Sequence, residues 1–496
     1  MNATPDRTVA RAVQRVTSTA LGPYQSAVVR IGFAATWLLF LLRELPNRHE
    51  MYGPHGPWSW EMARQLISGN DAFTALMWVD NTVWFEIVYA GAMLSSALLM
   101  LGWRTRTMSV LFMIGVLSLQ NRSIFMGDGG DNVIHLMAIY LVLTRCGQVW
   151  SLDARRLAAA VPGGPSAPGG PVVPVGPVIP ASPSGPPRDR VGPALWVVLG
   201  FALFSATFLN QTGWFVLLLL WVLWVAQALW WMVNRYAPHG EPRALLDILA
   251  NLAHNAALFV IMAEVCLIYA TAGWYKIQGS RWQDGTALYY PLKLDYFTPW
   301  PALSDLLASG GVMVMILTYG TVIVQVAFPF TLFNRRVKNV LLGAMMLEHA
   351  AIAVLLGLPF FSLAMIAADA VFLPTAFLVW LGTRMARGRD RLFSRGDAAG
   401  PEQRRGDPGP APYARRVTRG RRRAASAAVG AGPGFQAWFQ HPLGLFRARS
   451  GRRSVHPISS TTSTSAPSRG IMPATGMRHH RAVSGPYEGD QAERLH

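Results

Sequence analysis

Cysteine is almost absent from this 496-residue chain: Cys146 and Cys266 both lie inside apolar runs, which excludes a disulfide framework and a four-cysteine metal site. Lysine is as scarce, three residues against 41 arginines. Charge of either sign is thin, at 14%, while 52% of the residues are hydrophobic and the mean hydropathy is +0.27. That balance lies outside the range of soluble domains and marks an integral membrane protein. No Cys or His pair has zinc spacing and no G-x-S-x-G elbow supports a serine nucleophile, so no metal is expected. The net charge of +18 does not point to nucleic acid, because residues 384–496 alone hold 21 arginines against 7 acids.

What is present is a series of apolar runs of the ~17 to 23 residues that cross a hydrocarbon core. They fall near 25–43, 82–102, 107–123, 133–150, 193–209, 213–233, 251–272, 312–333, 339–357 and 360–382. The expected fold is all-α: a polytopic helical bundle with about ten transmembrane helices. Arg7, Arg11 and Arg15 precede the first run and no small-residue cleavage pattern follows it, so it reads as a retained helix. Basic residues are kept on the cytoplasmic side. Both termini inside puts Arg104 and Arg106, Arg155 to Arg190, Arg235 and Arg243, Arg335 to Lys338 and the tail in the cytoplasm. One long helix over 193–233, instead of a hairpin turning at Asn210 to Gly213, would send every later basic loop outside.

The boundaries that follow are a cytoplasmic N-terminus (1–24), a first helix group (25–158), a Pro/Gly-rich linker (159–192), a helical hairpin (193–235), a second helix group (236–383) and a basic tail (384–496). The linker is too rich in Pro and Gly to pack. The tail lacks periodicity and reads as disordered and cytoplasmic. The lipid bilayer is the expected partner, in a cell membrane.

Ionisable residues at bilayer depth cost about 2.5 to 3.5 kcal/mol and are functional candidates. They are Arg30, Glu86, His135, His254, Glu264, Glu348, His349 and Asp369. Arg30 with Glu86 or Glu264 makes a structural ion pair or belongs to a site. For His135 and His254 a hydrogen-bonded packing role is expected. Glu348 and His349 are adjacent on a helix and project ~100° apart, so one at most points at a given cavity; neutral His349 is the less costly in a polar pocket. Lys276 ends the run over 251–272 among Trp274, Tyr275 and Trp282. A lysine in dry, apolar surroundings can lose its proton and act as a base, as arginine does not. It can equally snorkel to an interface within an aromatic belt. The turn Gly127 to Asn132, G-D-G-G-D-N, has neither the glutamate of a calcium loop nor the lysine of a phosphate cradle.

S-A-V-V-R-I-G-F, L-G-W-R-T-R, the G-D-G-G-D-N turn, W-S-L-D, Y-A-T-A-G-W-Y-K-I-Q-G-S-R-W-Q-D-G-T-A-L-Y-Y and E-H-A-A-I-A-V-L-L-G-L-P-F-F-S, spread over roughly residues 26–382, resemble the HTTM family of vitamin K-dependent gamma-carboxylase-like membrane proteins. The resemblance implies that Lys276, in the A-G-x-x-K position, deprotonates a reduced naphthoquinone of the vitamin K type. With O2 this yields a strong alkoxide base that removes a glutamate gamma proton, and CO2 adds to the carbanion. It implies further site-lining groups: His349, Asn132, Asp131, His135, Trp282 and Tyr289, the last two in a lid over Trp282 to Tyr290. Where the carboxylase has a second functional histidine, this chain has Gly130 or a neighbour, with Asp131 and Asn132 beside it and His135 a turn on. It also carries a short basic tail in place of the carboxylase's lumenal portion. A second reading is a non-enzymatic membrane factor for maturation or export of a secreted peptide, and a third is a quinone- or lipid-binding protein or transporter.

Overall fold

The computed structural model describes residues 5–54, 56–70, 72–159, 191–209 and 213–397; residues 160–190 of the expected linker, most of the basic tail and the turn at 210–212 lie outside them. Every regular element among the described residues is helical. The helices are α1 (Pro5–Ser18), α2 (Pro23–Glu44), α3 (Thr82–Leu101), α4 (Thr105–Arg122), α5 (Gly129–Leu143), α6 (Val191–Phe208), α7 (Trp214–Tyr236), α8 (Glu241–Gln278), α9 (Gly311–Ala327), α10 (Arg335–Leu355), α11 (Pro359–Asp369) and α12 (Thr375–Asp397), with short helices and turns between them. Among the described residues seven helices are long and apolar enough to cross a membrane: α2, α3, α6, α7, α8, α9 with its terminal turn, and α10.

Helix α2 is the axis of the bundle and the most buried of the seven. Pro23 at its first turn presets the helical φ, and Phe33, Trp37 and Leu41 along it are fully buried. A Cβ added at Gly32 would stand 2.5 Å from Ala367 Cβ, so glycine is what lets α11 lie against α2. Membrane helices, which gain little from hydrophobicity, pack through such small-residue contacts.

Polar side chains fix the ends of the elements. Arg30, fully buried, meets neither Glu86 nor Glu264. Its guanidinium donates to the carbonyls of Leu99 (2.7 Å), Met100 (3.2 Å) and Trp150 (2.7 Å). The acceptors at the end of α3 are last-turn carbonyls of a helix, of which Leu99 O also takes the N–H of Gly102, and there a cation meets the negative end of the dipole. Glu86 pairs with Arg48 and His49, and Glu264 accepts from Tyr140 at 3.1 Å. Asp153, from W-S-L-D, accepts from the backbone N–H groups of Arg104 and Thr105 at 2.8 Å each and caps α4. Those bonds tie W-S-L-D to L-G-W-R-T-R. Asp128 and Asp131 form a capping box at the start of α5, which accounts for the polar turn.

His254 bridges Leu21 O (2.8 Å) and the N–H of Arg145 (2.9 Å), while Asn251 and Asn255 donate to the carbonyls of Thr17, Val16 and Thr19. These bonds fasten α1 to α8.

Three apolar runs differ from their expected shape. The fourth ends at Leu143, where Arg145 N–H turns aside to His254, so α5 is only 15 residues long. The last run is two helices bent by 117°, because Pro374 forces the residue before it out of the helical region; Leu373 has ψ 138. The seventh is longer than expected: α8 has 38 residues, about 57 Å at 1.5 Å per residue, well beyond a hydrocarbon core. Helices α6 and α7 lie against each other antiparallel, with the indoles of Trp196 and Trp224 stacked at 3.9 Å and each Nε1–H donating to the other's carbonyl at 3.0 Å. Trp224 fills the space that a Cβ at Gly200 would occupy. None of the apolar window of α7 is buried within the chain, as a helix that is apolar all round requires only in lipid or a larger core.

Candidate functional site

Tyr269, Gly273 and Lys276 recur at four- and seven-residue spacing and so share one face of α8. That face meets α9, α10 and α11. Gly273 makes the approach possible: a Cβ there would fall 2.5 Å from Val326 Cγ2. The neighbour of Val326 is Gln325, buried in α9. Lys276 Nζ donates to Gln325 Oε1 at 2.8 Å, and Gln325 Nε2 donates to Glu348 Oε1 at 2.7 Å. The amine also stands 5.2 Å from the centroid of the Trp282 ring, within cation–π range. One amide therefore separates the lysine from the carboxylate.

The second half of the site lies one residue on along α10. Tyr269, His349 and Asp369 are all buried. The Tyr269 hydroxyl stands 3.0 Å from His349 Nε2 and donates to Asp369 Oδ2 at 3.1 Å. A tyrosine hydroxyl has one proton. With that proton on Asp369, His349 is the Nε2–H tautomer and its Nδ1 is an acceptor. Neither His349 Nδ1 nor Asp369 Oδ1 has a partner. Glu348 and His349 thus point to different elements, as their angular separation requires, and both belong to polar clusters.

The remaining expected site residues are placed as follows. Trp282 is in contact with Lys276. Asp131 is occupied in the capping box and, through its carbonyl, accepts from Gln120. Asn132 is exposed. His135 Nδ1 lies 3.1 Å from Gln120 Oε1. No hydrogen bond or ring contact among the described residues joins these three to Lys276. Phe361 stands between, touching Gly130 on one side and lying edge-on to His349 at 5.6 Å on the other. Tyr289 is edge-on to Tyr290 at 5.9 Å and exposed. The segment that carries it is tied to α9, where Tyr319 OH donates to Gln283 O at 2.7 Å.

Gln325 and Tyr269 were not among the expected site residues, yet they are the two connectors. The available signal was that Gln325 is the sole amide in the sequence of α9. Among the described residues no group of three or more His, Cys, Asp or Glu could hold a metal ion. Comparison with protein-family models, curated proteins and solved structures found no match for this chain.

Proposed function

We propose that the chain is an HTTM-type membrane enzyme, a quinol-dependent oxygenase or carboxylase-like protein with Lys276 as its base. The observation that carries this reading is the partner of Lys276. A carboxylate in hydrogen-bond contact favours the ammonium form, whereas an amide oxygen accepts from an amine in either protonation state. Gln325 supplies such an acceptor and keeps Glu348 one residue away.

A reduced naphthoquinone, when bound, would supply the reducing power for O2, with CO2 as the further co-substrate. The residues present suit such a group in kind. His349 Nδ1 and Asp369 Oδ1 are acceptors in need of a donor, which a quinol hydroxyl is, and Trp282 offers an aromatic face. Lys276 takes the proton, Gln325 orients the amine, and Tyr269 fixes the imidazole tautomer.

In this reading α4, α5 and the bent α11–α12 pair cross the membrane together with the seven long helices, giving ten spans. Both termini then lie in the cytoplasm of a cell with the basic tail, and Lys276 lies at the outer face. Loop charge supports that orientation.

The test uses the scarcity of lysine. Lys276, Lys293 and Lys338 are the only amines on side chains, so peptide mapping after treatment with an amine reagent reads each separately. Reduced naphthoquinone is expected to slow labelling of Lys276 and leave Lys293 unchanged. Equal Lys276 labelling with and without the quinol would overturn the assignment.

A further inference from the structure

The connection from α2 to α3 closes over the C-terminal end of α4, and a small cavity opens there, lined by Tyr52, Trp60, Asn81, Phe85 and Arg122 among others. Its volume is about 10 Å³, room for one water-sized atom with the mouth open beyond it. Arg122 is 1% exposed. Its Nη2 donates to the carbonyls of Gly53 (3.0 Å) and Trp58 (2.9 Å), which holds the connection down on α4. Its Nη1 has no partner. Nor has the buried Nε1 of Trp60 in the same wall.

Both orphan atoms are donors that cannot accept. One belongs to a group that is always charged. Arg64 adds a second positive charge, its guanidinium 5.1 Å above the Trp60 ring. Buried charges are paired in folded proteins, and a buried N–H without an acceptor is rare. Asp80 is the acid whose charge reaches Arg122, but it is exposed and forms no ion pair with it. Arg122 and Trp60 thus both line a space the size of one heavy atom, and each carries a buried N–H group without an acceptor. Among the described residues that line it there is no negatively charged acceptor.

We propose that this cavity binds a small monovalent anion through a single acceptor atom, either a halide or one oxygen of a carboxylate whose remainder sits in the mouth. The anion would accept from Arg122 Nη1 and Trp60 Nε1 and would lock the connection onto α4. The assignment is independent of Lys276. A water molecule filling the same space would satisfy the donors without neutralising the arginine, and it would give no anion dependence.

The experiment follows thermal unfolding of the full chain in detergent, in sodium isethionate, a bulky anion with no carboxylate, at constant ionic strength, while isethionate is replaced by formate or by chloride. A saturable rise in Tm is expected. Formate acting without chloride assigns a carboxylate site, and both acting alike assigns a site for any single-atom acceptor. Trp60→Phe keeps the ring and removes one donor, and should raise the half-saturating concentration by about fivefold to tenfold. Asp80→Asn removes the competing acid and should lower it. Arg122→Gln should abolish the response. Should that variant fail to fold, Trp60→Phe decides. No rise beyond isethionate, or a Trp60→Phe response identical to that of the unaltered chain, would overturn the proposal.

Discussion

Lys276 and Glu348 are joined through a single neutral residue: Gln325 accepts from the amine at 2.8 Å and donates to the carboxylate at 2.7 Å. Gln325→Glu would place a carboxylate directly against the amine and hold it as ammonium. A positioned general base contributes roughly 10² to 10⁴-fold, so quinol-dependent turnover should fall by at least ~10²-fold. Gln325→Asn, one methylene shorter, should lose less. Initial rates of both variants check this, and a Gln325→Glu rate equal to the unaltered chain's would contradict it.

Gly273 lies one turn before Lys276 and admits Val326. Gly273→Leu is expected to push α8 from α9 and separate Lys276 from Gln325, so that activity is lost while the helix content by circular dichroism is kept. Overpacking of this kind costs about 1 to 3 kcal/mol, visible as a lower Tm.

Tyr269→Phe removes the hydroxyl that connects His349 and Asp369. Both partners are then buried with one fewer bond, at a cost of about 1 to 3 kcal/mol. Thermal unfolding of Tyr269→Phe beside a control substitution on the exposed face of α7 measures it.

Arg30→Met removes the guanidinium from three carbonyls, of which Leu99 O keeps the N–H of Gly102 at 3.0 Å. Hydrogen bonds to charged groups are worth about 1.5 to 3 kcal/mol each, so a loss of about 3 kcal/mol or more is expected, with Arg30→Lys intermediate because one ammonium cannot reproduce the planar fork. The ranking of the three Tm values checks it.

Lys293 lies in the connection after α8, outside the spans. The hydrogen bond to Asp305, at 2.7 Å, holds its ammonium above the ordinary lysine range. A raised folded value means that the stabilisation is fully present below the unfolded lysine pKa and is lost as pH rises through the folded one. In Asp305→Asn the pH midpoint for acetylation of Lys293 should move down, and an unchanged midpoint would remove Asp305 as the cause.

The bundle was legible where physics leaves one choice. An apolar run long enough to cross a membrane must be helical because its backbone groups have no other partner, and α2, α3 and α6 to α10 all follow. The ends were not legible, because distant residues set them: His254 stops α5 and Asp153 starts α4 from far away in the sequence. Glu348, His349 and Asp369 stood out because an ionisable group in an apolar run is expensive, and Lys276 because it is a rare lysine among aromatic rings. Gln325 and Tyr269 did not, since a neutral amide and a phenol cost too little to attract notice. Arg122 was not singled out, since a charge at the end of a run can reach the interface, and only the folded chain shows it buried.

The most direct test of the central claim is oxygen uptake by the detergent-purified chain supplied with a reduced naphthoquinone, measured with an oxygen electrode for the unaltered protein and for Lys276→Ala. Quinol-dependent uptake is expected, and it should disappear in Lys276→Ala while the Tm of the variant stays near that of the unaltered protein. Uptake that persists in the variant, or none in the unaltered protein, would contradict the claim.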